Sequence, residues 1–249
     1  MANWSDPRSG TQTRIPGFGG PAAARGEAYD AGLRRYMLSV YNYMASGVLL
    51  TGIVALLFAS SGLAYQVLAG PGILKYVIMF APLVFVMVLS FGINRLSTAA
   101  AQGLFWAYAA VMGLSLSSIF LVYTGTSIAQ TFFATAAAFA GLSLWGYTTK
   151  KDLSGFGTFL IMGVVGLLIA SLINIFLKSS AMDLVISAVG VLLFAGLTAY
   201  DTQKIKSIYA YVAGTDMMGK SVVMGALNLY LDFINMFLFL LRFMGGNRD

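Results

Sequence analysis

The chain has 249 residues, of which 59% are hydrophobic and only 10% are charged, and its mean hydropathy is +0.82. Roughly a quarter of the residues in a soluble domain are charged, so this composition excludes a soluble globular protein and predicts an integral membrane protein. The sequence contains no cysteine and no histidine. Disulfide frameworks, zinc fingers and Ser-His or Cys-His catalytic pairs are therefore excluded, and we expect neither enzyme activity nor a tightly bound cofactor.

The N-terminal segment, residues 1–34, is rich in glycine and arginine and poor in apolar residues, which predicts a flexible cytoplasmic tail. No apolar run precedes its alanine-rich stretch, so we do not expect a secretory signal peptide. We expect a transmembrane domain over residues 35–243 and a short C-terminal tail over 244–249.

Seven apolar runs of about 20 residues, the length that crosses ~30 Å of hydrocarbon, predict an all-α fold with seven transmembrane helices. They lie near residues 37–60, 75–94, 99–123, 128–148, 156–178, 183–211 and 221–242. Pro82 is expected to kink the second helix, which makes that helix a candidate moving part.

The basic residues predict the orientation. Eleven fall on the side of the N-terminus: Arg8, Arg14, Arg25, Arg34, Arg35, Arg95, Lys150, Lys151, Lys204, Lys206 and Lys220. Four fall on the other side: Lys75, Lys178, Arg242 and Arg248. This bias places the N-terminus in the cytoplasm, and short loops favour a bacterial inner membrane. Because the basic residues flank apolar runs, the net charge of +6 indicates a lipid bilayer as partner and no nucleic acid.

Ionisable residues inside membrane helices cost about 2.5–3.5 kcal/mol each on insertion scales, so Asp201 and Asp232 are candidate functional residues. On the seventh helix, Asn228, Asp232, Asn235 and Arg242 follow at i, i+4, i+7 and i+14 and form a polar stripe. Asn174 on the fifth helix is a further candidate for a water path, although close helix packing also explains it.

The two aspartates are level with each other only if the sixth helix continues to about Val212, where Gly214 offers a C-terminal cap. Two close carboxylates in a low dielectric cannot both ionise cheaply, so the pair shares a proton and senses pH. When deprotonated it attracts a cation, either Arg95 or Ca²⁺ held weakly by Asp201 and Asp232. Alternatively, each aspartate is capped by polar neighbours, and Arg95 is an ordinary orientation signal.

The runs AYDTQKI (199–205) and LYLDFINMFLFLLRF (229–243) resemble the transmembrane Bax inhibitor motif family, also called the Bax inhibitor-1 family. The resemblance covers about residues 35–243 and implies a bundle whose last helix is central and a pH-dependent calcium leak. The family's aspartate sensor matches Asp201 and Asp232. Its helix-two arginine, which bonds the pair in the closed state, matches Arg95 in FGINRLS. The stretch TDMMGKS departs from compact bacterial members because it lengthens the last connection.

Two further hypotheses concern partners. The resemblance also implies an alternative, a regulator that binds a membrane protein such as a membrane protease, and the basic tail is then the expected contact. Residues Gly214–Ser221 also satisfy the P-loop pattern GxxxxGK[ST], but a helix is expected before them where a phosphate cradle needs a strand. We therefore expect no nucleotide.

Overall fold

The computed structural model describes residues 21–246, and the side chains of residues 26–246, as a helical bundle. The helices are α1 (Pro21–Ser60), a short π-helix (Tyr65–Ala69), α2 (Leu74–Gly92), α3 (Thr98–Leu116), α4 (Ile119–Val122), α5 (Gly125–Thr148), α6 (Ser154–Leu177), α7 (Ser180–Val212) and α8 (Met217–Met244). Residues 1–20 and 247–249 lie outside the described residues.

Seven spans of the described chain are long and apolar enough to cross a membrane. They are Gly26–Ser60, Leu74–Gly92, Thr98–Val122, Gly125–Thr148, Ser154–Leu177, Ser180–Val212 and Met217–Met244. The predicted all-α membrane fold is confirmed, and α3 and α4 together form the third predicted span. The sixth and seventh predicted helices are α7 and α8.

The first helix begins earlier than expected, because α1 already includes residues 21–34 of the predicted tail. The cause is packing against α7. The rings of Tyr29 and Tyr36 lie 5.2 and 5.3 Å from that of Tyr209, and Leu33 is buried. A side chain at Gly32 would meet the Tyr209 hydroxyl, so glycine permits this close approach.

Polar caps define the start of three helices. The side chains of Ser97, Thr124 and Ser179 accept hydrogen bonds from the backbone N–H three residues later, at 3.1, 3.3 and 3.3 Å. These bonds satisfy donors that an α-helix leaves free in its first turn. The short connections between the spans therefore end in defined helix starts.

The core lies around α8, which has the largest buried share among the seven spans. It packs mainly on α7 and also contacts α1, α5 and α3. By contrast, α2 packs mainly on α3 and the π-helix, and α6 packs mainly on α7. That the last helix is central in the bundle stays a prediction.

Contacts between distant residues define the two ends of the bundle. At the first, Tyr36 bonds Ser221, Lys220 lies beside the α2–α3 turn, and Gln203 bonds the α5–α6 loop. We call it the basic end, because it holds Arg34, Arg35, Arg95, Lys150, Lys151, Lys204, Lys206 and Lys220. At the opposite end, the first residues of α5 meet Gly246.

Candidate functional site

The packing register of α7 and α8 brings Asp201 and Asp232 to the same region. The two helices run antiparallel, because Ile205 packs on Gly225 while Phe194 stacks on Phe239 at 5.8 Å. On α7, Asp201 lies between Phe194 and Ile205. On α8, Asp232 lies between Gly225 and Phe239. Their carboxylates are close enough for the charge of Asp201 to act on Asp232.

Asp232 is 4% exposed, and its Oδ2 atom is buried without a hydrogen-bond partner. Among the described residues, the only other buried side-chain polar atom without a partner is the hydroxyl of Tyr108. Tyr108 packs on Tyr230, two residues before Asp232, with ring centroids 5.2 Å apart. A buried carboxylate oxygen without a partner is costly when it is charged, and a proton or a cation at Asp232 would lower that cost.

The helix extension that the pair requires is present. The predicted continuation of the sixth helix is confirmed, because α7 ends at Val212 and Gly214 follows with a φ of +75°. This left-handed conformation is typical of glycine just after a helix. The residues before the P-loop-like pattern are therefore helical, as expected, where a phosphate cradle needs a strand.

Lys204, which the sequence predicts only as part of the orientation charge, is a positive side chain beside Asp201. Arg95 is expected there as the cation that reaches the pair, but it is the charge of Lys204 that acts on Asp201 in the structure. Lys204 lies three residues after Asp201 on α7, a spacing that places both on the same helix face. That spacing was the available signal.

Arg95 does not lie at the pair. It is exposed in the turn after α2, and among the described residues it makes no ion pair. This turn is at the basic end, where Lys220 Nζ lies 3.5 Å from the carbonyl oxygen of Asn94. Asp232 is 12 residues further along α8, or about 18 Å. The expected bond between Arg95 and the aspartates is thus not formed in this structure.

The polar stripe of α8 is only partly buried. Asp232 is its buried member, whereas Asn228 and Asn235 are half-buried and Arg242 is exposed. Asn235 donates to the carbonyl oxygen of Leu231 at 2.8 Å, within its own helix. The two asparagines flank Asp232 by about one turn on each side, so they are positioned to continue a polar path from it.

Asn174 lies away from the pair, at the opposite end. Its side-chain oxygen accepts from the backbone N–H of Ser179 at 3.1 Å and thereby caps the end of α6. It lines a cavity of about 320 Å³ together with Asp183 and Arg242, which form an ion pair at 3.6 Å. Asn174 therefore lies at the end of the bundle opposite the basic end.

A chain of hydroxyl groups, which no motif in the sequence predicts, lies next to the pair. Tyr41 bonds Ser143 at 2.6 Å, Ser143 bonds Thr202 at 2.9 Å, and Thr202 donates to the carbonyl oxygen of Thr198. Because Thr202 uses its proton on Thr198, Ser143 donates to Thr202 and Tyr41 donates to Ser143. The chain connects α1, α5 and α7 at the level of Asp201.

The donor set favours weak cation binding. No group of three or more acidic, histidine or cysteine side chains that could hold a metal occurs in the described part of the chain. Two carboxylates fall short of the six to eight oxygen ligands that Ca²⁺ prefers. The pair can attract a divalent cation, but by itself it cannot form a closed binding site.

Comparison with known proteins identifies the family. A family model described as "Inhibitor of apoptosis-promoting Bax1" matches residues 33–249. The inner membrane protein YbhL of Escherichia coli K12 is 47% identical over 220 residues, which cover 88% of this chain and 94% of YbhL. Uncharacterized proteins of Rickettsia prowazekii and Caulobacter vibrioides are 49% and 48% identical, covering 91% and 92% of this chain and 95% of each relative. This integral membrane protein therefore belongs to the Bax inhibitor-1 family.

Proposed function

We propose that the protein is a pH-sensitive leak channel for Ca²⁺ in a bacterial inner membrane, gated by Asp201 and Asp232. One observation carries the proposal: a buried carboxylate on α8 has an oxygen without a partner and lies within electrostatic reach of a carboxylate on α7. Ionisable groups placed in this way inside a membrane bundle are costly and are typical of ion and proton pathways. The inner membrane location of YbhL supports the proposed membrane.

The gate follows from the electrostatics of the pair. At low pH the two carboxylates share a proton and attract a cation less strongly. At high pH both are ionised, and the nearest available cation compensates them. In our proposal that cation is Arg95, and its salt bridge with the pair closes the channel at high pH. At low pH the shared proton weakens this bridge, α2 moves with Arg95, and Ca²⁺ can pass.

The attachment of α2 supports its role as the moving part. This helix packs mainly on α3 and the π-helix, so it can shift without disrupting the contact between α7 and α8. Pro82 interrupts its backbone hydrogen bonding at the centre of the span. Arg95 must move inward by more than the length of its side chain to reach the pair, and its position here fits the conducting state of the proposal.

The first test measures Ca²⁺ flux into proteoliposomes between pH 5 and pH 8. Asp201→Asn or Asp232→Asn should abolish the pH dependence, because an amide cannot take up the shared proton. Asp183→Asn is the matched control, since Asp183 is an aspartate on α7 that lies exposed at the opposite end. A pH response that persists in both variants of the pair would refute the gate.

A second test addresses Arg95. Arg95→Gln should keep the Ca²⁺ flux at pH 8 as high as at pH 5, because no guanidinium remains to compensate the ionised pair. Lys220→Gln is the control, since Lys220 is a cation beside the same turn. If Arg95→Gln closes normally at pH 8, another cation, with Lys204 the first candidate, must hold the closed state.

A further inference from the structure

An open apolar groove lies between α1 and α5 and has no role in the proposed channel. Both helices pack on α7 and α8 and leave between them a space of about 740 Å³. The walls run antiparallel, from Arg34 to Leu49 on α1 and from Tyr147 to Phe132 on α5, and Phe233 of α8 also lines the space. The first and last residues of each wall are 15 positions apart, or about 22 Å.

The lining indicates an apolar ligand along most of this length. The polar side chains halfway along, Tyr41 and Ser143, bond each other at 2.6 Å and require no polar group from a ligand. The remaining lining beyond the basic end consists of aliphatic and aromatic side chains. The groove is also longer than one bilayer leaflet, whose hydrocarbon is ~15 Å thick. A lipid acyl chain fits along it.

The basic end of the groove carries positive charge. Arg34 lines the groove, is exposed and, within the described residues, makes no ion pair, although Asp30 lies one turn earlier. On the other wall, Lys206 Nζ donates to the carbonyl oxygen of Tyr147 at 2.8 Å and lies 4.9 Å from its ring centroid. Two cations therefore flank the point where a lipid headgroup would lie.

The volume of the groove fits a small ligand. The groove lies within the ~300–1,000 Å³ range of small-molecule pockets. We propose that it binds an acyl chain of an anionic phospholipid whose phosphate is held by Arg34, with Lys206 adding positive charge. This inference does not depend on the channel proposal.

Native mass spectrometry of the full-length protein tests the inference with phosphatidylglycerol and phosphatidylcholine of identical acyl chains. We expect the protein to retain one phosphatidylglycerol molecule, with a preference over phosphatidylcholine of about five-fold or more. This is the affinity ratio that one basic residue near an anionic headgroup provides. Arg34→Gln should reduce this preference about five-fold. Arg35→Gln is the matched control, because Arg35 is the adjacent exposed cation but does not line the groove.

A second pair of variants tests the acyl-chain site itself. Ala140→Phe fills the groove and should abolish retention of both lipids, whereas Ala138→Phe places the same side chain on the exposed face of α5 and should not. Equal loss in Arg34→Gln and Arg35→Gln, or lipid retention unchanged by Ala140→Phe, would overturn the proposal. The proposal would also be overturned if the unmodified protein were a dimer and Ala140→Phe made it a monomer, because the groove would then be a dimer contact.

Discussion

At the scale of single residues, the core beside Asp232 is maintained by a buried hydrogen bond between α1 and α8. Thr51 donates to the carbonyl oxygen of Ala109 at 2.8 Å, so the hydroxyl of Tyr230 is the donor in its 2.6 Å bond to Thr51. Tyr230 also packs against the rings of Phe105 and Tyr108. These contacts fix the part of α8 that carries Asp232.

Tyr230→Phe keeps the ring packing and removes only the hydroxyl. We expect it to lower the free energy of unfolding by about 1 kcal/mol, the net value of one hydrogen bond. Tyr211→Phe is the control, because Tyr211 is 83% exposed. Thermal unfolding in detergent compares the two, and equal midpoints would show that the bond between α1 and α8 contributes nothing.

At the scale of helices, glycine determines how closely α5 approaches α7. A Cβ atom at Gly146 would lie 2.9 Å from the Cα of Ala199, and its other near neighbours are backbone atoms as well. Backbone atoms cannot rotate away, so the helices would have to separate. This contact lies two residues from Asp201 and three from Thr202, and it therefore determines how closely the bond from Ser143 to Thr202 holds α5 against α7.

Gly146→Ala should destabilise the protein by about 1–3 kcal/mol, because an added methyl group overpacks this contact. Gly141→Ala on the same helix meets nothing within 4 Å and should be neutral or stabilising by up to about 1 kcal/mol, since alanine favours helix. Denaturation monitored by circular dichroism measures both. Equal effects would mean that α5 and α7 are not in close contact there.

At the scale of the whole molecule, the distribution of charge predicts the orientation in the membrane. Most basic residues lie at the basic end, which predicts that this end is cytoplasmic. The competing hypothesis of a regulator that binds a membrane partner depends on the predicted basic tail over residues 1–34, of which residues 1–20 lie outside the described residues.

The natural absence of cysteine gives a direct test of orientation. Lys151→Cys in the α5–α6 loop should be protected from a membrane-impermeant thiol reagent applied outside the inner membrane. Gly72→Cys, in the exposed loop before α2, should react. Lysis should make both accessible, which controls for local burial, and the reverse pattern would invert the assigned topology.

The sequence by itself determined the membrane class, the seven spans and the place of Asp201 and Asp232 on the last two of them, because hydrocarbon thickness and the 3.6-residue period act along one helix. That the two aspartates act as a proton-sharing pair stays a prediction. The extension of α7 to Val212 was predictable for the same reason. The family was recognisable from the residues around the two aspartates.

Only the tertiary structure decided which side chains meet across helices. The packing of residues 29–36 on Tyr209, the hydroxyl chain from Tyr41 to Thr202 and the groove between α1 and α5 depend on which faces of distant helices come together. Apolar side chains are compatible with lipid and with protein alike, so hydropathy cannot distinguish a buried face from a lipid-facing one. The sequence likewise did not reveal that Arg95 lies far from the aspartates, because this distance also depends on which helix faces pack together.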